Sequence, residues 1–238
     1  MEEKSKTPKV HHFKVSHLNK WEAEILRELE VNLRLRKNFD KVNAGFMSSF
    51  FNLVPNSYLI ENQEILLNFS EAEFEVNRIL QSRTHCENTF VYGTSQLLLD
   101  KLKNLYGKVE CFHSGSVFLN SVKISNETIV HLNLYEHNLE IAVTADSGVV
   151  FYNLFEAQAG EDILFYTLFA LEQLNLDAGK TELKTYGQLL PETKTYQTLK
   201  KYVRFVFPGS KDEKFLEQFT IFNLSKCALS QEISEEKK

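Results

Sequence analysis

The chain of 238 residues is poor in several things that mark particular protein classes. Its three cysteines, Cys86, Cys111 and Cys227, are odd in number and scattered, which excludes a disulfide framework and suits reduced thiols. Four prolines and nine glycines leave no low-complexity linker, no collagen-like repeat and no Gly-rich Walker or dinucleotide loop. No apolar run approaches the ~20 residues that span a bilayer. The opening Met1-Glu2-Glu3-Lys4 has nothing of a secretory signal. The expectation is a cytoplasmic protein with no membrane partner. Excess positive charge is missing too: 27 Lys and Arg against 32 Asp and Glu give a net charge of −5, which disfavours nucleic acid as a partner.

What is present is core-forming material. At 43% hydrophobic and 25% charged, the composition is that of a globular chain, long enough for one large domain or two small ones. Residues 1–9 and 230–238 are polar and aperiodic and read as tails. From His17 to about Arg34, Leu18, Trp21, Ile25, Leu26, Leu29 and Leu33 recur at helical spacing, with Ser16 as N-cap. Val42, Ala44 and Phe46 alternate, and Ser48-Ser49 then lead into Phe50–Val54, which predicts a hairpin ended by Pro55. Residues 62–68 read as a short helix. Asn88–Gly93 is a buried-strand pattern. Thr94 or Ser95 caps a helix carrying Leu97, Leu98, Leu102 and Leu105, and Gly107 closes it. Lys108–His113 reads as a strand and Ser114 as the cap of a further helix. That alternation predicts a sheet with crossover helices.

The pattern sharpens after Thr128. Ile129–Tyr135, Leu139–Thr144 and Val149–Phe155 are strand-like runs joined by short turns, Asp146-Ser147-Gly148 among them. A helix over Glu161–Leu174, a strand over Glu182–Tyr186, a helix over Glu192–Tyr202 and a strand over Val203–Phe207 complete a β-β-β-α-β-α-β order. Ile163 to Leu171 is apolar around nearly its whole circumference, which predicts a helix buried on all sides.

Asn52-Leu53-Val54-Pro55, Phe112-His113-Ser114, Tyr152-Asn153, Asp162 to Tyr166, Glu172 to Asp177 and Leu183 to Gly187 resemble an uncharacterised family known mainly from Bacteroidetes. The resemblance implies an α/β protein of actin-like ATPase (ribonuclease H-like) architecture. Two halves would each hold a mixed sheet flanked by helices, the first spanning 10–123 and degenerate, the second 124–229. It also implies an N-terminal β-hairpin before the first helix, for which Lys9–Ser16 supplies only one strand.

Residues for nucleotide chemistry are sparse. The phosphate turn of the second half would be Tyr135-Glu136-His137-Asn138, which has no glycine. Asp146-Ser147-Gly148 lies one hairpin too late and suits an ordinary turn. Gly160 stands alone before Glu161 and Asp162, whose carboxylates suit a helix N-terminus but repel phosphate from its amides. His85, Cys86, Cys111 and His113 lack paired zinc-ligand spacing. His113-Ser114 has no nucleophile elbow around it. No catalytic, cofactor or metal residue is therefore assigned, and no enzyme is expected. The expected function is a non-catalytic interaction or scaffold protein on a decayed ATPase fold, and the alternative is an ATP-binding conformational switch. The expected interaction surface is the aromatic group Trp21, Phe46, Phe50 and Phe51, engaging another protein or a second copy; these rings also suit a small core of the first half.

Overall fold

The computed structural model describes residues 13, 21–59, 78–146 and 148–235, with residues 228–235 described by their backbone alone. In chain order the elements are α1 (Trp21–Val31), β1 (Val42–Phe46), β2 (Phe51–Pro55), a 3-10 turn at Asn56–Tyr58, β3 (Arg78–Arg83), β4 (Asn88–Thr94), α2 (Gln96–Tyr106), β5 (Val109–His113) and α3 (Ser114–Leu119). The second half continues with β6 (Ile129–Tyr135), β7 (Asn138–Ala145), β8 (Gly148–Glu156), α4 (Gly160–Gln173), β9 (Glu182–Gly187), α5 (Lys194–Tyr202), β10 (Phe205–Pro208), α6 (Glu213–Glu217) and α7 (Phe219–Glu235).

The second half forms one five-stranded sheet in the order β10-β9-β6-β7-β8. The meander β6-β7-β8 is antiparallel, and β9 and β10 add in parallel beyond β6. A single layer cannot bury both faces of such a sheet, and β7 is buried continuously from Leu139 to Thr144. Leu132, Leu139, Ile141 and Leu183 join Ile163, Ala170 and Leu171 of α4 and Leu199 of α5 in one core. Each fully buried aliphatic side chain there contributes about 1.5–3 kcal/mol. Ala142, Tyr152 and Tyr186 belong to a second core with Phe118 and Leu119 of α3, Leu216 of α6 and Phe219 of α7. Phe90 and Tyr92 of β4 join that same core, so it packs the first half directly against the second.

In the first half, β2-β4-β3 is an antiparallel sheet and β1 pairs with β5 in parallel. The caps follow local chemistry. Ser95 accepts from Leu98 N at 3.0 Å at the start of α2. Gly107, at φ +72°, ends that helix with its N–H on Lys103 O at 2.7 Å.

Five expectations are corrected. The strands at 42–46 and 51–55 exist, but they do not pair as a hairpin: Val42 faces Val109 in one sheet and Phe51 faces Tyr92 in another. For the same reason β4 and β5 are not neighbours in one crossover sheet. The helix after β5 is capped by His113, whose Nδ1 accepts from Gly115 N at 3.0 Å, and Ser114 is already helical. The helix α4 is not buried all round. Ile163, Thr167, Ala170 and Leu171 face inward, while Phe165 is 61% and Phe169 44% exposed. In addition, α7 runs to Glu235, through residues read as tail. The predicted Ser16 cap, the strand at Lys9–Ser16 and the helix at 62–68 lie outside the described residues, apart from Phe13.

Candidate functional site at the junction of the halves

Parallel strands place ligands beyond their carboxyl ends, so the ends of β1, β5 and β6 are the place to look. There a cavity of about 230 Å³ is lined by Gly45, Met47, Ser114, Tyr135, Thr220 and Leu224, among others. The helix α7 forms one wall of it. Asn43 Nδ2 donates to Leu224 O at 2.9 Å. A Cβ on Gly45 would meet the Leu224 side chain at 2.9 Å, so the glycine admits the helix at close range.

Beneath the cavity lies a buried polar network. The two-residue turn after Tyr135 sets the register of β6 and β7, and two steps in from its closing pair Asn133 faces Glu140. Glu140 is fully buried. Its carboxyl accepts from Tyr152 Oη at 2.8 Å and from Asn133 Nδ2 at 2.6 Å. Asn133 Nδ2 also reaches Thr220 Oγ1 of α7 at 2.9 Å. Burial drives the Glu140 pKa up, against the pull of donors from Tyr152 and Asn133. Burial and the adjoining Glu140 carboxylate likewise push the Tyr152 hydroxyl upward.

His113 occupies the centre of the junction. Its Nδ1 accepts from Gly115 N, so Nε2 carries the proton and donates to Ser48 O at 2.9 Å. The ring stacks on Phe90 at 4.6 Å and lies 4.8 Å from Phe51, centroid to centroid. Burial holds its pKa down to about 4, opposed by the bond to Ser48. His131 is held down to about 3, first by burial and then by Lys184; its ring nitrogens lie 3.0 Å from Thr144 Oγ1 and 3.3 Å from Tyr186 Oη. Both imidazoles are neutral and have both nitrogens engaged. That is the chemistry of structural histidines, with no face left for proton transfer.

Backbone amides beside the two places where a phosphate would sit are engaged. Glu136, at φ +55°, donates its N–H to Gln188 Oε1 at 3.1 Å. At the start of α4, Asp162 Oδ2 accepts from Gln158 N at 2.8 Å and from Ala159 N at 2.9 Å. Among the described residues no three His, Cys, Asp or Glu side chains group as metal ligands.

The four rings proposed from sequence are divided among separate clusters. Trp21 packs with α1 and α2, joined by Phe46 from one side. Phe51, and again Phe46, pack on the junction core. Phe50 packs with Val54 and Val91. All four are half-buried. The sequence reading missed Asn133, Glu140, Tyr152 and Thr220. The usable signal was the two-residue turn, from which counting inward pairs Asn133 with Glu140.

The sheet order and the flanking helices are those of an actin-like ATPase fold. A Bacteroides thetaiotaomicron protein of that fold, described as of unknown function, superposes with a TM-score of 0.73 at 18% identity, covering 86% of this chain and 80% of that one. The chain belongs to the family described as protein of unknown function (DUF3822), whose sequence model matches residues 5–206. A weaker likeness, TM-score 0.44 at 17% identity over 87% of this chain and 80% of that one, is to the cytoplasmic domain of EpsL, an inner-membrane component of the Vibrio cholerae type II secretion system. No curated protein sequence matches. Among the described residues, no helix is long and apolar enough to cross a membrane.

Proposed function

We propose that this protein is a non-catalytic interaction or scaffold protein that keeps the actin-like frame and uses its surface. A fold alone assigns no activity, so the reading rests on the junction. The observation that carries it is the filling of that space. Phe51 and Phe90 each meet Tyr152 edge to face, His113 stacks on Phe90, and α7 lines what remains. Sites for cofactor-sized ligands usually enclose ~300–1,000 Å³, more than the remaining cavity offers. The glycine-free turn at 135–138 and the self-capped start of α4 support the same reading.

The test is thermal unfolding with and without ATP and Mg²⁺. A ligand present at 100 times its dissociation constant stabilises the fold by about 2.7 kcal/mol. The expected result is no Mg²⁺-dependent change in melting temperature with millimolar ATP. A clear rise would replace this reading with that of an ATP-binding switch.

A further inference from the structure

The surface of α4 opposite the sheet carries one stripe. Glu161, Phe165, Phe169 and Glu172 stand at i, i+4, i+8 and i+11, which puts them on the same side of the helix over about 16 Å. Phe165 and Phe169 are its exposed rings, stacked 6.0 Å apart at 14°. Behind them Tyr166 stacks on Phe155 of β8 at 4.4 Å, so an aromatic ladder runs from the sheet to the outer face. That underlying pair holds the outer rings on a fixed support. Both flanking carboxylates are exposed, and α4 contains no Lys, Arg or His.

We propose that this stripe docks an amphipathic helix of another protein, with apolar residues over Phe165 and Phe169 and a basic residue at each end. The proposal rests on the reading of an interaction protein and names the partner's chemistry. Charge complementarity selects the occupant. A second copy packed antiparallel through the same stripe would set Glu161 against the partner's Glu172, and a parallel one would set each carboxylate against itself. Both arrangements juxtapose like charges, which oppose association. A helix with Lys or Arg about eleven residues apart and leucines between them meets each carboxylate with a cation and buries both rings.

The test uses two labelled 14-residue peptides with the same leucine positions, one with lysine and one with glutamate at positions 1 and 12. Fluorescence anisotropy with the full chain should show at least tenfold tighter binding of the lysine peptide, a preference that shrinks at high salt. Phe165→Ser with Phe169→Ser should weaken that binding at least tenfold. Glu161→Lys with Glu172→Lys should invert the preference, and because both positions are exposed the variant should keep the parent's circular dichroism spectrum. Equal binding of the two peptides overturns the proposal, as does an undiminished affinity in the serine variant. A wild-type dimer that sedimentation shows to be lost in the serine variant also overturns it, in favour of a second copy. Failure here with no response to ATP leaves the interaction reading standing and removes only this surface; a nucleotide-dependent rise in melting temperature removes the reading itself.

Discussion

Tyr152 of β8 meets Phe90 of β4 edge to face, ring centroids 4.9 Å apart at 87°, and this contact joins the two halves of the chain. The same Tyr152 donates its hydroxyl to the buried Glu140. One side chain therefore serves both the apolar packing and the polar network. Tyr152→Phe should keep the packing and cost about 1–3 kcal/mol through the lost donor. Tyr152→Ala should cost about 3–5 kcal/mol and split urea unfolding into two transitions. A single unchanged transition in the alanine variant, followed by circular dichroism, would show that the halves are held by other contacts.

The buried titratable groups predict a pH dependence with opposing contributions. For His113 and His131 the folded pKa values, about 4 and about 3, lie below the ordinary 6.5. The unfolded chain binds more protons, so the stability these groups contribute is present above pH 6.5 and falls as pH drops toward 4. Between pH 7 and 5 the loss is about 2 kcal/mol for each histidine. Glu140 acts the other way. Its folded pKa is raised, so its contribution is present below pH 4.5 and lost as pH rises through the folded value. Glu140→Gln removes that term and should make stability fall more steeply on acidification than in the parent. Parallel urea profiles from pH 7 to 5 would show that Glu140 titrates alike in the folded and unfolded chains.

Burial separates two helical phenylalanines. Phe118 is 1% exposed at the centre of the junction core, whereas Phe169 is 44% exposed on α4. Phe118→Ala should cost about 3–5 kcal/mol and Phe169→Ala about 1 kcal/mol or less. Denaturation midpoints of the two variants decide the point. A large loss for Phe169→Ala would mean that its ring is covered in solution.

The second half was legible because its strands and helices are punctuated. The turns after Tyr135 and Ala145 and the breakers around Asn175 delimit runs whose periods are unambiguous. Pairing in the first half was not, since strands β1 and β2 satisfy the period-2 pattern whichever partner they take. A strand pattern identifies an edge seeking hydrogen bonds and says nothing of which sheet supplies them. The helix α4 failed differently. An apolar residue at nearly every position carries no phase, so the wheel could not tell Ile163, which faces the sheet, from Phe165, which faces water. Glu140 was hidden by alternation itself. Between Leu139 and Ile141 it reads as the polar, outward residue of a half-exposed strand, but this sheet is covered on both faces.

Gly115 gives the sharpest test of a closed junction. It lies in the first turn of α3, where replacing glycine by alanine ordinarily stabilises a helix by about 1 kcal/mol. Here an added Cβ would stand 2.5 Å from both Phe90 Cζ and Tyr152 Cζ and 2.6 Å from Tyr152 Oη. Those atoms belong to rings held from several sides, so they cannot swing away, and the overpacking should outweigh the helix gain. Gly115→Ala is expected to destabilise by about 1–3 kcal/mol in urea titrations. The same substitution made on Tyr152→Ala should cost less, because the ring that the methyl would strike is gone. A double-mutant cycle measures that difference directly. A Gly115→Ala variant more stable than the parent, with no coupling to position 152, would mean that the halves stand apart in solution and that the junction is open to a ligand after all.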